Sequence, residues 1–137
     1  MKNKTFTAGL DSIEKIQAFV KAGLAEENCD RKQLFHIDLI IEELAVNIVK
    51  YNSPEKGGKT ITIEMNISDK QLNLVFYDNG IPFDPLQAEA PDIDIPVKNR
   101  NPGGLGIFFI KNLTQDISYK REKGFNRLSL KIDLNRP

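Results

Sequence analysis

Glu43 and Asn47 stand four residues apart in a stretch whose apolar residues recur at helical spacing, so their side chains project side by side from one helix face. A carboxylate there can take up a proton, and an amide oxygen can ligate a hard cation such as Mg2+. Asn competes with the backbone for hydrogen bonds inside a helix, so its presence at position 47 asks for a reason. Projected at about 100° per residue, His36, Glu43, Asn47 and Lys50 share a narrow polar strip opposite the apolar stripe, with Leu39 and Ile40 beside it. The plain alternative is a solvated face, like the strip holding Asp38 and Glu42.

Two further groups follow. Asp78-Asn79-Gly80 comes directly after an alternating run, where Gly80 permits a backbone angle closed to other residues and Asp78 can accept a hydrogen bond from a ligand amine. An ordinary turn is the alternative. Gly103-Gly104-Leu105-Gly106 opens a third helical stretch, and the free N–H groups of a helix start suit phosphate, which can approach where side chains are missing. Its alternative is a hinge closing the preceding loop.

The elements that must position these groups are legible in outline. Lys4–Ala8 reads as a short edge strand, and Asp11 with Glu14 reads as a capping box opening a helix with Ile13, Ile16, Phe19, Val20 and Leu24. Asp30 and Gln33 repeat the box before a helix over about 31–52, whose stripe is Leu34, Ile37, Ile41, Leu44, Ala45 and Ile48. Ile61, Ile63, Met65 and Ile67, then Leu72, Leu74 and Phe76, alternate with polar residues and predict an antiparallel hairpin through Ser68–Gln71. Residues 78–102 carry five of the seven prolines and read as a lid over about 82–102. A helix to about Leu113 and strands near Ile117–Arg121 and Asn126–Leu134 close the chain. The sum is α+β, a two-layer sandwich of about three helices on one mixed, largely antiparallel sheet of about five strands.

Composition narrows the field further. Residues 1–137 suffice for one domain with its own core, and 19 basic against 19 acidic residues leave no net charge to draw it onto nucleic acid or a membrane. Cys29, the lone cysteine, reads as an ordinary small side chain in a reducing, cytoplasmic setting. No apolar run approaches membrane-spanning length.

Taken in order, Glu-x-x-x-Asn on a helix, Asp-x-Gly after a strand, a Pro-rich loop and Gly-x-Gly at a helix start form a composite pattern. In it the chain resembles the GHKL-type ATPases, the superfamily of histidine-kinase catalytic domains, gyrase B and MutL. The likeness is greatest to the small anti-sigma-factor serine/threonine kinases of bacterial partner-switching systems, and runs from about residue 10 to residue 134. The resemblance implies a Bergerat-type, histidine-kinase-like ATPase fold that holds ATP and Mg2+.

Under that resemblance, Glu43-Leu-Ala-Val-Asn47 stands as the N-box, with Glu43 the catalytic base and Asn47 the Mg2+ ligand. Asp78, with Gly80 after it, stands as the adenine-reading aspartate, and Gly103, Gly104, Leu105 and Gly106 as the phosphate-binding box. Arg100 matches a basic lid residue near the terminal phosphate, with Lys98 the neighbouring alternative. Two positions depart from the pattern. Pro82 replaces a second glycine, and Asn126 stands where many relatives carry a threonine that backs the adenine contact.

The function so implied is an anti-sigma regulatory factor that phosphorylates a small antagonist protein on serine or threonine, sequesters a sigma factor or similar regulator, and acts as a homodimer. A non-catalytic ATP-dependent binding module and a simple ATPase are the alternatives. His36 reads as a helix-face residue rather than a phospho-acceptor.

Overall fold

In the computed structural model the described residues are 1–51, 59–87 and 104–135. The elements are β1 (Lys2–Thr7), α1 (Ser12–Gly23), α2 (Arg31–Tyr51), β2 (Thr60–Ser68), β3 (Gln71–Asp78), α3 (Gly104–Leu113), β4 (Asp116–Glu122) and β5 (Phe125–Asp133). A single 3-10 turn, Pro85–Gln87, occupies the start of the expected lid, and residues 88–103 lie outside the described residues. The strands line up in the order β1-β2-β3-β5-β4, and every pairing is antiparallel rather than mixed.

Alternation in the strands and the helical stripes meet in one core. Register aligns Ile63 with Phe76 and Phe76 with Leu128, then Met65 with Leu74 and Leu74 with Leu130, so the inward side chains form apolar rungs across three strands. Against them lie Ile16 and Val20 of α1, Ile37, Ile41 and Leu44 of α2, and Ile107 and Ile110 of α3, all buried. Phe76 is fully enclosed at the centre. Truncating such a residue to alanine costs about 3–5 kcal/mol, so the strands that carry the site are firmly held.

Two local expectations are corrected. Asp11 does not cap α1: its backbone is already in the helical region rather than the extended one a capping residue takes, and its side chain makes no capping bond. Ser12 instead ties the helix start to the preceding turn, donating its hydroxyl to the Gly9 carbonyl and accepting from the Gly9 N–H. At α2 the Asp30 carboxylate does accept from the Gln33 N–H at 2.8 Å, but Gln33 then donates its side-chain amide to the Asp133 carbonyl at 3.0 Å. That bond ties the start of α2 to the end of β5.

The polar strip on α2 is also not opposite the core. Ile40 is buried and Asn47 nearly so, because α3 packs along this flank of α2. The second polar strip is no free solvated face either, since Asp38 pairs with Lys21 of α1 at 3.1 Å. Phe35, Leu39, Glu42 and Lys50 are among the residues that face outward.

Candidate functional site

Strand parity builds the first half of the site. Leu72, Leu74, Phe76 and Asp78 all point inward from β3, as do Ile132, Leu130, Leu128 and Asn126 from β5, and the register sets Asp78 opposite Asn126. The last rung of an apolar ladder is therefore polar, with Asp78 7% and Asn126 5% exposed. Burying such groups is costly unless they are hydrogen-bonded, and here they are. Asn126 Nδ2 donates to Asp78 Oδ1 at 2.9 Å, and the Gly80 N–H donates to the same oxygen at 3.0 Å.

The turn after β3 is gripped from the start of β2 on one side and from β4, beyond β5, on the other. Lys59 Nζ donates to the Asn79 carbonyl at 2.9 Å, the Thr60 N–H donates to Asn79 Oδ1 at 2.9 Å, and Arg121 Nη1 donates to the Gly80 carbonyl at 2.9 Å. Burial pushes the Asp78 carboxyl above its usual value. The bonds from Asn126 and Gly80 and the charges of Arg121 and Lys59 pull the other way.

Helix α2 supplies the second half. Asn47 and Leu44 face Asp78, Phe83, Tyr119 and Asn126 across a recess whose volume between the described residues is about 30 Å3. Asn47 is 9% exposed, and among the described residues its amide has no hydrogen-bond partner. Glu43, one turn earlier, is half-buried and lies against Gly106 of α3 so closely that a Cβ on Gly106 would overlap the carboxylate. Glycine at 106 thus has a packing reason in addition to the expected one, clearance for phosphate. Burial first, and the charge of Glu42 second, push the Glu43 carboxyl up, while Lys50 draws it down.

Of the residues singled out in the sequence, Asn47 and Asp78 meet around one recess, with Gly80 in the turn that bonds Asp78. Glu43 and Gly106 meet beside it, where Gly104 and Leu105 begin α3. Gly103, Arg100 and Lys98 lie outside the described residues. His36 stays on α2 beside the Phe35 ring, 6.3 Å between centroids. Cys29 packs against the core, and burial followed by Glu27 and Asp30 pushes its thiol up, away from reactive thiolate.

Tyr119, Lys59 and Arg121 were not anticipated. Tyr119 shares the inward parity of Ile117, which the alternation in β4 displays, but nothing local announces that β4 lies beside β5 at the Asp78 end of the sheet. Among the described residues no cluster of three or more His, Cys, Asp or Glu is placed to hold a metal, and no helix is long and apolar enough to cross a membrane.

A three-helix, five-strand antiparallel sandwich with Asn on its central helix and a buried Asp closing a strand defines a histidine-kinase-like ATPase. The profile of the histidine kinase-like ATPase domain matches residues 6–132, and the chain belongs to that family. It is 28% identical over 96 residues to the serine/threonine-protein kinase BtrW of Bordetella bronchiseptica, covering 70% of this chain and 68% of BtrW. It is 31% identical over 97 residues to the serine-protein kinase RsbW of Bacillus cereus, covering 68% of this chain and 60% of RsbW. In fold it resembles the RsbU and RsbW domains of a Mycobacterium tuberculosis protein, with TM-score 0.65 at 15% identity over 100% of this chain and 34% of that one. The catalytic domain of the histidine kinase ThkA superposes with TM-score 0.55 at 14% identity, over 98% of each chain.

Proposed function

We propose that this chain binds Mg-ATP in the recess between α2, β3 and β5 and transfers the terminal phosphate to serine or threonine of a small antagonist protein. In this reading it acts in the cytoplasm as the anti-sigma factor of a partner-switching system and sequesters a sigma factor or similar regulator as a homodimer. The observation that carries it is the buried Asp78 carboxylate, held through one oxygen by Asn126 and Gly80, facing an unpartnered Asn47 across the same recess. The kinases BtrW and RsbW, similar over about 70% of this chain, support the transfer step.

The donor set suits such a ligand. A purine amine would meet an acceptor at Asp78, and Asn47 would offer an amide oxygen to a hard cation such as Mg2+. Held there, the ion would supply positive charge to offset that of the phosphates. In this reading Gly104, Leu105 and Gly106 offer N–H groups to the phosphates at the positive end of α3, and Gly103 and Arg100, which lie outside the described residues, keep the phosphate-binding roles that the sequence pattern gives them. Glu43 takes the proton of the attacking hydroxyl.

The test is transfer of labelled γ-phosphate from Mg-ATP to a candidate antagonist protein, alongside thermal melts with and without nucleotide. Label on serine or threonine of the antagonist is the expected result. Release to water alone makes the chain an ATPase, and binding without turnover makes it an ATP-dependent binding module. Ligand that binds only the native state must raise the melting temperature, so an unmoved melt at millimolar Mg-ATP overturns the nucleotide reading itself.

A further inference from the structure

Helices α2 and α3 meet closely at one end and part at the other. They touch where Glu43 lies against Gly106. Toward the start of α2 and the end of α3 a second recess opens between them, with a volume of about 320 Å3 between the described residues. Proteins hold small molecules in pockets of about 300–1,000 Å3, so it reaches a usable size. Its base is apolar, formed by Ile132 and Leu113 over the buried Ile37 and Ile40. It shares no lining residue with the recess at Asp78 and Asn47.

The rim is polar, and its charge is one-sided. Lys32 and His36, one turn apart on α2, stand on one side, and Asn112 of α3 stands on the other. Among the described residues Lys32 makes no ion pair and His36 no hydrogen bond. Asn112 donates one N–H to the Phe108 carbonyl at 2.9 Å, and its second is open. Asp133 is the acidic residue at the rim. Strand parity sends its side chain to the open face of the sheet, where the carboxylate accepts from the Asn135 N–H at 2.9 Å. Toward the recess it turns its backbone, whose carbonyl accepts from the Gln33 amide at 3.0 Å. One fixed positive charge and two further donors thus look onto an apolar base, with no carboxylate set against them.

We propose that this recess is an effector site for a small carboxylate with an apolar tail, coupled through α2 and α3 to the nucleotide recess. The head lies among Lys32, His36 and Asn112, and the tail rests on Ile132 and Leu113. A phosphate monoester suits it less, since its second charge finds no second fixed cation. Both helices run on to the phosphate end. His36 precedes Glu43 by seven residues, about 10 Å along the axis, and Gly106 precedes Asn112 by six, about 9 Å. A ligand seated between the helices at one end therefore biases how they lie at the Glu43–Gly106 contact. The coupling, unlike the binding itself, rests on the nucleotide reading above.

The experiment titrates the full chain with hexanoate, hexanamide and acetate while backbone amide resonances are followed by NMR. Hexanamide keeps the tail without the charge, and acetate keeps the charge without the tail. Hexanoate should bind most tightly and move the amides of His36, Asn112 and Ile132. An exposed ion pair is worth up to about fivefold in affinity, so the parent should favour hexanoate over hexanamide by about two- to fivefold. Lys32→Gln, at an exposed position, keeps the stem and removes the charge, and that ratio should fall to about one. High salt should lower the parent's ratio in the same direction. With Mg-ATP present the hexanoate affinity should change by about fivefold or more, and hexanoate should change Mg-ATP affinity by the same factor.

Absence of hexanoate binding at millimolar concentration, shifts confined to residues away from the recess, or a hexanoate-to-hexanamide ratio that Lys32→Gln leaves unmoved overturns the site. Acetate that binds as tightly as hexanoate overturns the seat for the tail. If Mg-ATP binds but leaves the hexanoate affinity unmoved, the coupling is overturned. A parent that binds no Mg-ATP overturns the nucleotide reading and the coupling with it, while the hexanoate titration still decides the site.

Discussion

At the sheet end of the recess Asp78 and Asn126 sit in a web of hydrogen bonds reaching Gly80, Ile81, Phe83 and Tyr119, whereas at the helix end Asn47 has no partner among the described residues and Glu43 lies against bare glycine backbone. The contrast follows from how each end is made. Antiparallel register fixes inward side chains on adjacent strands at one separation, so a polar rung can be satisfied within the protein. Two helices crossing at a glycine approach closely but leave Glu43 and Asn47 without hydrogen-bond partners among the described residues. In the proposed reading the base end is prebuilt, and the phosphate end holds Asn47 and Glu43 for a ligand and a hydroxyl.

The largest effect that tests this division lies at the helix end. Glu43→Gln preserves shape and hydrogen bonding but removes the base, so nucleotide affinity should hold while transfer falls by ~10²–10⁴-fold. Parent-rate transfer by that variant would remove Glu43 from the chemistry. Asn47→Ala should instead lose Mg-ATP affinity itself, read from the nucleotide titration.

The pH dependence sharpens the same point. Glu43 acts as a base only when ionised, and burial places its ionisation above the usual carboxylate range. Transfer should therefore rise with pH through that raised value, and Glu43→Gln should erase the rise. In stability the sign is opposite. Between the ordinary glutamate value and the raised one the native state binds more protons than the unfolded chain, so this group's contribution falls as pH rises through the window. The glutamine variant should accordingly melt at or above the parent's temperature at neutral pH, and a lower melt would show that the carboxylate is paired rather than held in reserve.

Gly106→Ala comes next. Its methyl would overlap the Glu43 carboxylate, the far end of a flexible side chain that can swing aside, and alanine is favoured over glycine inside a helix by about 1 kcal/mol, so denaturant melts should change little. Transfer should fall all the same, because the base is displaced, and parent-rate transfer would show that Glu43 need not occupy that place.

The sequence revealed these two ends unequally. Glu43 and Asn47 were legible as neighbours because the four-residue spacing belongs to one helix. Parity alone gives the inward face of Asp78, Tyr119 and Asn126, but their meeting depends on β5 inserting between β3 and β4, a long-range pairing no local pattern carries. For the same reason Ile40, beside a polar strip on the helix projection, is buried once α3 covers it. The capping of α1 failed for a local reason, since the backbone at Asp11 is already helical and its side chain makes no capping bond.

The smallest effect probes how completely the base end is prebuilt. Tyr119→Phe removes one hydroxyl from the Asn126 network and leaves the ring, which lines the recess, in place. One acceptor site on Asn126 Oδ1 is then empty, while the Phe83 N–H still bonds to that oxygen and both Nδ2 bonds remain. A lost neutral hydrogen bond costs about 0.5–1.5 kcal/mol, so a small drop in melting temperature is expected. Because three of four contacts still orient the amide, Asp78 keeps its ligand-facing oxygen, and the affinity for Mg-ATP should not change. A variant that melts like the parent but loses that affinity would make Tyr119, rather than the backbone of Ile81 and Phe83, the group that orients Asn126.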